Sequence, residues 1–323
     1  MASPNLSEIV STTLRNRSGK LADNVTNNNA LLRRLNSKGK VKPLDGGRTI
    51  VQELDYAENG TYKRYSGYET LDISPSEVFS AAEFDWKQGA VSVSISGLEE
   101  LQNSGSERVI DLLESRITNA ERTMANNVSA DMYSDGTANG GKQIGGLQHL
   151  VADDPSTGTV GGINRATWTF WRNYEYDATT DGGAAATSAN IQSYMNQVWL
   201  NIVRGNDRPD LIIADNNYFK LYLESLQTIQ RIASDDMAQA GFTSLKYMDA
   251  DVVFDGGYGG DAPTDHMYFL NCNHLCWRPH RDRNMVPLNP DRFSVNQDAM
   301  VKLIAFAGNL TLSNAFVQGL LHD

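Results

Sequence analysis

Apolar positions along the chain change rhythm several times, and each rhythm predicts a different element. Residues 5–37 carry two short helical stripes, Leu6, Ile9, Val10 and Leu14, then Leu31, Leu32 and Leu35, with Asn27-Asn28-Asn29 between them. Stripes this thin cannot bury themselves, so the segment reads as an arm laid on something larger. Thr49–Tyr56 is β-prone, and Asn59-Gly60 is a strong hairpin signal because both residues tolerate positive φ. Thr61–Ile73 returns with Tyr62, Tyr65 and Tyr68 and few aliphatic residues. A projecting ribbon is predicted, one whose stability comes from a neighbour. Phe84 and Trp86 occupy even positions and Val91, Val93 and Ile95 odd ones, which predicts one bent strand with a bulge at Gly89.

Residues 106–133 predict a single long helix. Val109, Leu113, Ile117, Ala120, Met124 and Val128 follow at steps of three and four, Ser106 suits the N-cap, and Asp135-Gly136 ends the run. Its length comes to about 42 Å. Glycine pairs then mark a loop-rich stretch over 137–186. Ile191, Met195, Val198 and Ile202 predict a helix ended by Gly205, Leu211–Ala214 a buried strand, and Phe219, Tyr222, Leu223, Leu226 and Ile229 a second helix capped by Asp215 or Asn216. Val252–Phe254 and Met267–Leu270 read as strands around a Gly-rich loop, and Met300–Leu321 is strand-prone.

Composition narrows the class. The chain has 323 residues, 40% of them hydrophobic, enough to build a real core and to suggest roughly two domains. The net charge of −11 argues against a protein that reads nucleic-acid sequence. That charge is uneven: residues 1–48 hold nine basic and three acidic side chains, +6, against −17 for the rest. A basic arm beside an acidic body suggests docking on another copy. With two cysteines, Cys272 and Cys276, no disulfide framework exists. No apolar run reaches membrane-span length, and MASPNLSEIV lacks the pattern of a secretory signal.

Candidate chemistry is thin. Gly136–Gln143 approaches a phosphate-binding loop, yet Gln143 stands where a magnesium-holding hydroxyl belongs, and a helix precedes the loop where a strand is required. Cys272, His274, Cys276 and His280 carry zinc-ligand chemistry, but ligands along one extended strand do not converge on a tetrahedron. No nucleophile elbow is present. Asp249, Asp251 and Asp255 read as solvated strand ends. Catalytic, cofactor and metal residues are therefore assigned as none.

The order of elements, together with several strings, resembles the major capsid proteins of tailed bacteriophages with the Hong Kong-97-type fold. The strings are NNNALLRRLNSKGKVKPLDGGRTI (27–50), YAENGTYKRYSGYETLDISP (56–75), EFDWKQGAVSVSISGLEEL (83–101), NAERTMANNVSADMYSDG (119–136) and GGKQIGGLQHLVADDPSTGTVGGINRATWTFWRN (140–173). The resemblance implies an α+β chain divided into an N-terminal arm (1–47), an extended β-hairpin loop (48–82), a peripheral domain (83–149 and 266–313) with spine helix 106–133, and an α/β axial domain (150–265 and 314–323).

It further implies a non-enzymatic shell subunit that self-assembles through pentamers and hexamers into an icosahedral virion head enclosing double-stranded DNA. Assembly would take place in the bacterial host cytoplasm, with no membrane partner. No long charged helix precedes the arm, so a separate scaffolding protein and a portal are expected. Intersubunit contacts are expected from Glu58, Asn59, Gly60, Tyr62, Arg64, Tyr65 and Tyr68 in the loop, and from Arg15, Arg17, Leu31, Leu32, Arg33, Arg34 and Leu35 in the arm. Lys63 and Asn309 give no basis for a covalent cross-link. The alternatives are an encapsulin-like cellular nanocompartment shell and a zinc- or nucleotide-dependent enzyme.

Overall fold

A computed structural model describes residues 29–98, 106–226, 244–255, 261–288, 292–293 and 298–323. Along the chain lie α1 (Ala30–Ser37), β1 (Ile50–Asp55), β2 (Phe79–Phe84), β3 (Lys87–Ser96) and the long α2 (Ser106–Asp131). Then come β4 (Tyr174–Asp177), α3 (Ile191–Ile202), β5 (Leu211–Ala214), α4 (Asn216–Ser225), β6 (Ser244–Tyr247) and β7 (Ala250–Phe254). The last elements are β8 (His266–Leu270), β9 (Leu275–Pro279), β10 (Ala299–Leu312) and β11 (Gly319–His322).

Two main sheets share the work. The six-stranded sheet runs β4-β11-β8-β5-β7-β6 and mixes parallel and antiparallel pairs. Side chains alternate across its two faces. Leu211, Ile213, Tyr268, Leu270 and Leu320 join one core, while Ile212, Ala214, Met267, Phe269 and Leu321 join the other with α3 and α4. Both faces are thus covered, which is why β5 reads as an unbroken apolar run. Asp215 caps α4, accepting from the amides of Asn217 and Tyr218. β8 sits in the middle of this sheet between β11 and β5. The expected division at 265/266 falls immediately before β8, a strand of this sheet.

The second sheet is organised by β10. β3 lies antiparallel along one half of it, from Ala299↔Ser96 to Gly308↔Lys87, and β9 along the other. The α2 stripe of Ile117, Ala120, Met124 and Val128 is buried in the same core as Val93, Ile95 and Phe306. Val109 and Leu113 lie outside the residues whose side chains are described. The bulge expected at Gly89 is absent: Gly89 pairs with Phe306 in unbroken register. The change of parity instead marks the end of β2 and the start of β3, with Asp85 and Trp86 between them. Past α2 the chain folds back tightly, Leu147 N–H donating to the Met132 carbonyl at 2.7 Å. A Cβ on Gly146 would lie 2.4 Å from the Asp131 carbonyl oxygen, so only glycine fits there.

Of the arm, residues 29–48 are described, and they lie on their own body. Asn29 caps α1 by accepting from the Leu32 amide, and its Nδ2 donates to Ser129 Oγ on α2 at 2.9 Å. Leu31, Leu32 and Leu35 are fully buried, worth roughly 1.5–3 kcal/mol each by burial alone. After α1, residues 40–44 run parallel to β9, with Lys42 N–H donating to the Trp277 carbonyl and Leu44 N–H to that of Pro279. Arg34 bridges Asp210 at 2.7 Å and Asp251 at 3.2 Å, and Lys38 reaches Asp210 at 3.0 Å. Within the single chain, Leu31, Leu32 and Leu35 find their apolar partners and Arg34 its acidic ones. Asp251 is likewise no solvated end but a buried acid.

Asp255, at the end of β7, accepts from the Tyr133 hydroxyl at the foot of α2. Burial pushes its carboxyl up to about 6, with the Tyr133 hydrogen bond opposing and the nearby Asp261 charge reinforcing. A folded-state value above the unfolded one of about 3.9 means stability that is complete below the unfolded value and lost as pH rises through about 6. Asp255→Asn, which cannot ionise, is expected to raise the melting temperature at pH 8, with the gain fading as pH falls to 4. A gain independent of pH would contradict this. Arg34→Ala strands Asp251 and is expected to cost about 1–3 kcal/mol in urea unfolding of the unassembled chain. Asp251→Asn in the same background should recover part of that loss.

Candidate assembly surface

The extended loop leaves the body on the β1–β2 pair, in register from Ile50↔Phe84 to Asp55↔Phe79. Its inner face is held. Leu54, Ala82 and Phe84 are buried, Glu83 N–H donates to the Gly161 carbonyl at 2.9 Å, and Arg278 donates to Gln52 Oε1 at 3.0 Å. Beyond Asp55, residues 56–78 form no strand.

The hairpin expected at Asn59-Gly60 is therefore corrected. A turn does form there, with Tyr62 N–H donating to the Asn59 carbonyl at 3.4 Å, but β1 finds its partner twenty residues later in β2. The Asn59 side chain accepts from the amide and hydroxyl of Thr61 instead of serving a ladder. Residues 61–73 also lack the alternating apolar pattern that fixes a register. Farther on, Asp72 accepts from the amide and hydroxyl of Ser74, and Lys63 pairs with Glu69 at 3.3 Å. Such local bonds shape the tip without burying it.

The loop and its root present aromatic and aliphatic side chains among charged ones. Tyr62 is 78% exposed, Tyr65 63%, Ile73 94% and Phe79 77%, and Tyr68 is fully open to solvent. Glu58, Asn59, Gly60 and Arg64 are exposed beside them. Val51, Leu71, Ile73 and Phe79 are exposed as well and were not expected from the sequence; the isolated apolar Ile73 within a polar Asp-x-Ser-Pro run was the available signal. Seven of the twelve exposed large hydrophobic side chains among the described residues fall between Val51 and Phe79. Arg33 is half-buried on α1, and Arg15 and Arg17 lie outside the described residues.

A cleft of about 440 Å³ lies between α2 and the β3–β10 pair. Met124, Val128, Val91, Ile144 and Phe306 line it together with Asn127, Asp131, Lys142 and Gln143. Apolar surface bordered by polar groups suits an amphipathic segment such as a tyrosine-bearing loop.

The sites weighed for chemistry are dispersed. The buried Cys272 amide donates to Asp210, His274 faces Asp207 at 2.8 Å and Ser313 at 3.1 Å, Cys276 sits in β9, and His280 Nδ1 accepts from the Asp282 amide. Burial, reinforced by the Asp210 charge, pushes the Cys272 thiol well up. Among the described residues no group of three His, Cys, Asp or Glu side chains is placed to hold a metal ion, and no helix is long and apolar enough to cross a membrane. The Gly136–Gln143 loop takes left-handed conformations at Gly136, Asn139, Gly140 and Gly141.

No protein-family model and no curated protein sequence matches the chain. Solved structures do. The capsid asymmetric unit of cyanophage A-1(L) is similar at 16% identity and TM-score 0.65, covering 88% of this chain and 90% of that one. The capsid of Myoviridae phage XM1 is similar at 11% identity and TM-score 0.51, with 89% and 91% covered. The holo-SrpI encapsulin complex from Synechococcus elongatus is similar at 8% identity and TM-score 0.50, with 91% and 88% covered. With the long α2, the β3–β10 sheet, the six-stranded sheet and the projecting loop all in place over most of the chain, the protein has the Hong Kong-97-type capsid fold.

Proposed function

We propose that this chain is a shell subunit, the major capsid protein of a tailed phage, which self-assembles through pentamers and hexamers into an icosahedral head. The observation that carries the reading is the extended loop: an apolar surface on a projection that its own body leaves uncovered, in a chain with a capsid fold. Apolar burial contributes roughly 25 cal/mol per Å² before the costs of association. In the shell the loop of one copy lies over the α2 region of the next, where the cleft beside β3 receives tyrosines from Tyr62, Tyr65 and Tyr68. Glu58, Asn59, Gly60 and Arg64 form the rim of the same contact. Arg15, Arg17 and Arg33 supply the arm's share of contacts to neighbours.

The head encloses double-stranded DNA without reading its sequence, in keeping with the net charge of −11. A separate scaffolding protein and a portal serve assembly in the host cytoplasm, and no catalytic role is assigned. The peripheral region combines 83–149 with the chain from β9 through β10. The axial region is built on the six-stranded sheet, which β11 rejoins at the chain's end. The likeness to an encapsulin favours a second reading, a cellular compartment that holds protein cargo. Nuclease-protected DNA inside particles made during infection separates the two.

Replacing Tyr62, Tyr65 and Tyr68 together by serine removes interface area from an exposed loop and spares the core. The expected outcome is folded monomers or capsomers, by sedimentation, with closed shells absent. Shells of normal yield from the triple variant would overturn the reading.

A further inference from the structure

The direction of the extended loop rests on a small aromatic cluster at its root. Tyr56 is the first residue beyond β1. Its amide donates to the Val78 carbonyl and its hydroxyl to that of Glu77, both at 3.0 Å, so it closes the two strands just before the tip begins. Its ring stacks on Phe170, with centroids 5.1 Å apart at 27°, and meets Trp168 edge-on at 6.2 Å. Trp168 and Phe170 are themselves edge-to-face at 5.9 Å. The cluster is tied inward: Phe170 packs on Trp171, which is buried and donates from Nε1 to the Val160 carbonyl at 3.0 Å. Trp168, by contrast, is 48% exposed. Aromatic pairs have preferred angles, so three rings in mutual contact fix an orientation as well as a distance.

We propose that Trp168 and Phe170 form a platform that sets the angle at which the extended loop leaves its own subunit, and thereby where it meets a neighbouring copy. Tyr56 is the arm of the lever, and Trp168 is a positioning residue. A loop folded back on itself over residues 57–77 reaches at most roughly 35 Å from its root, and about 30 Å when not fully extended. A tilt of about 10° at Tyr56 then moves the tip by about 5 Å, more than the length of a hydrogen bond. The second half of the proposal rests on the shell reading above; the first half does not.

The test uses the full chain, unassembled, with spin labels at Ser66→Cys on the tip and Asn126→Cys on the exposed face of α2. Pulsed electron–electron distance measurement is expected to give one narrow distribution in the parent. Trp168→Ala should broaden it at least twofold, Trp168→Phe should retain it, and the far-ultraviolet melting curve should be unchanged in both. Equal widths in all three proteins would overturn the proposal, as would a parent distribution as broad as that of Trp168→Ala. Electron microscopy of the same chains without labels then tests the second half. Trp168→Ala is expected to give open or mixed-diameter particles at parental protein levels. Uniform particles of parental diameter would contradict that half, while a parent that forms no particles would count against the shell reading and leave the loop measurement intact.

Discussion

The side chains at the tip of the extended loop have no place in their own chain to go. Most of the described body, by contrast, is covered from within: the six-stranded sheet is covered on both faces, the α2 stripe is buried against β3 and β10, and α1 is sealed by leucines. Against that background Tyr68, fully exposed, and Ile73 and Phe79, nearly so, stand out as surface that folding does not use. A body this self-sufficient can be rigid before it meets a partner. The loop then supplies the contact and the body supplies the geometry in which the contact is made.

Charge follows the same division. The excess of basic residues near the start of the chain suggested an arm reaching for another copy. Arg34 and Lys38 spend their charge at home instead, on Asp210 and Asp251 at the ends of two inner strands of the six-stranded sheet. This contact joins α1 to the loops that precede β5 and open β7, and it leaves residues 40–44 lying along β9. The arm is thus anchored to the body over its described residues.

Several elements were legible because their pattern is local. The stepping from Ile117 to Val128 specifies a helix with one buried face, Asp215 before Tyr218 specifies a cap, and Leu211–Ala214 specifies a strand covered on both sides. The rest involves information that no local pattern carries. A change of parity between Phe84 and Val91 looks the same whether a strand bends or ends and restarts. Leu31, Leu32 and Leu35 show that a face is buried but not by which copy. Asp251 looks like a solvated acid until Arg34, more than two hundred residues earlier, is brought beside it. In the loop, the regular spacing of Tyr62, Tyr65 and Tyr68 is visible in the sequence, whereas the exposure of Leu71, Ile73 and Phe79 is not, because single apolar residues in a polar stretch are ordinary on any surface. Trp168 could not be linked to Tyr56 without the fold.

The central claim is that this subunit completes its apolar burial only in a closed lattice of copies. Cryo-electron microscopy of the purified chain, alone and with its scaffolding partner if one is needed, tests it most directly. The account predicts polyhedral shells in which density for residues 57–77 of each copy lies on the α2 region of the next. A monodisperse monomer under all assembly conditions, or shells in which the loop folds back on its own subunit, would contradict it.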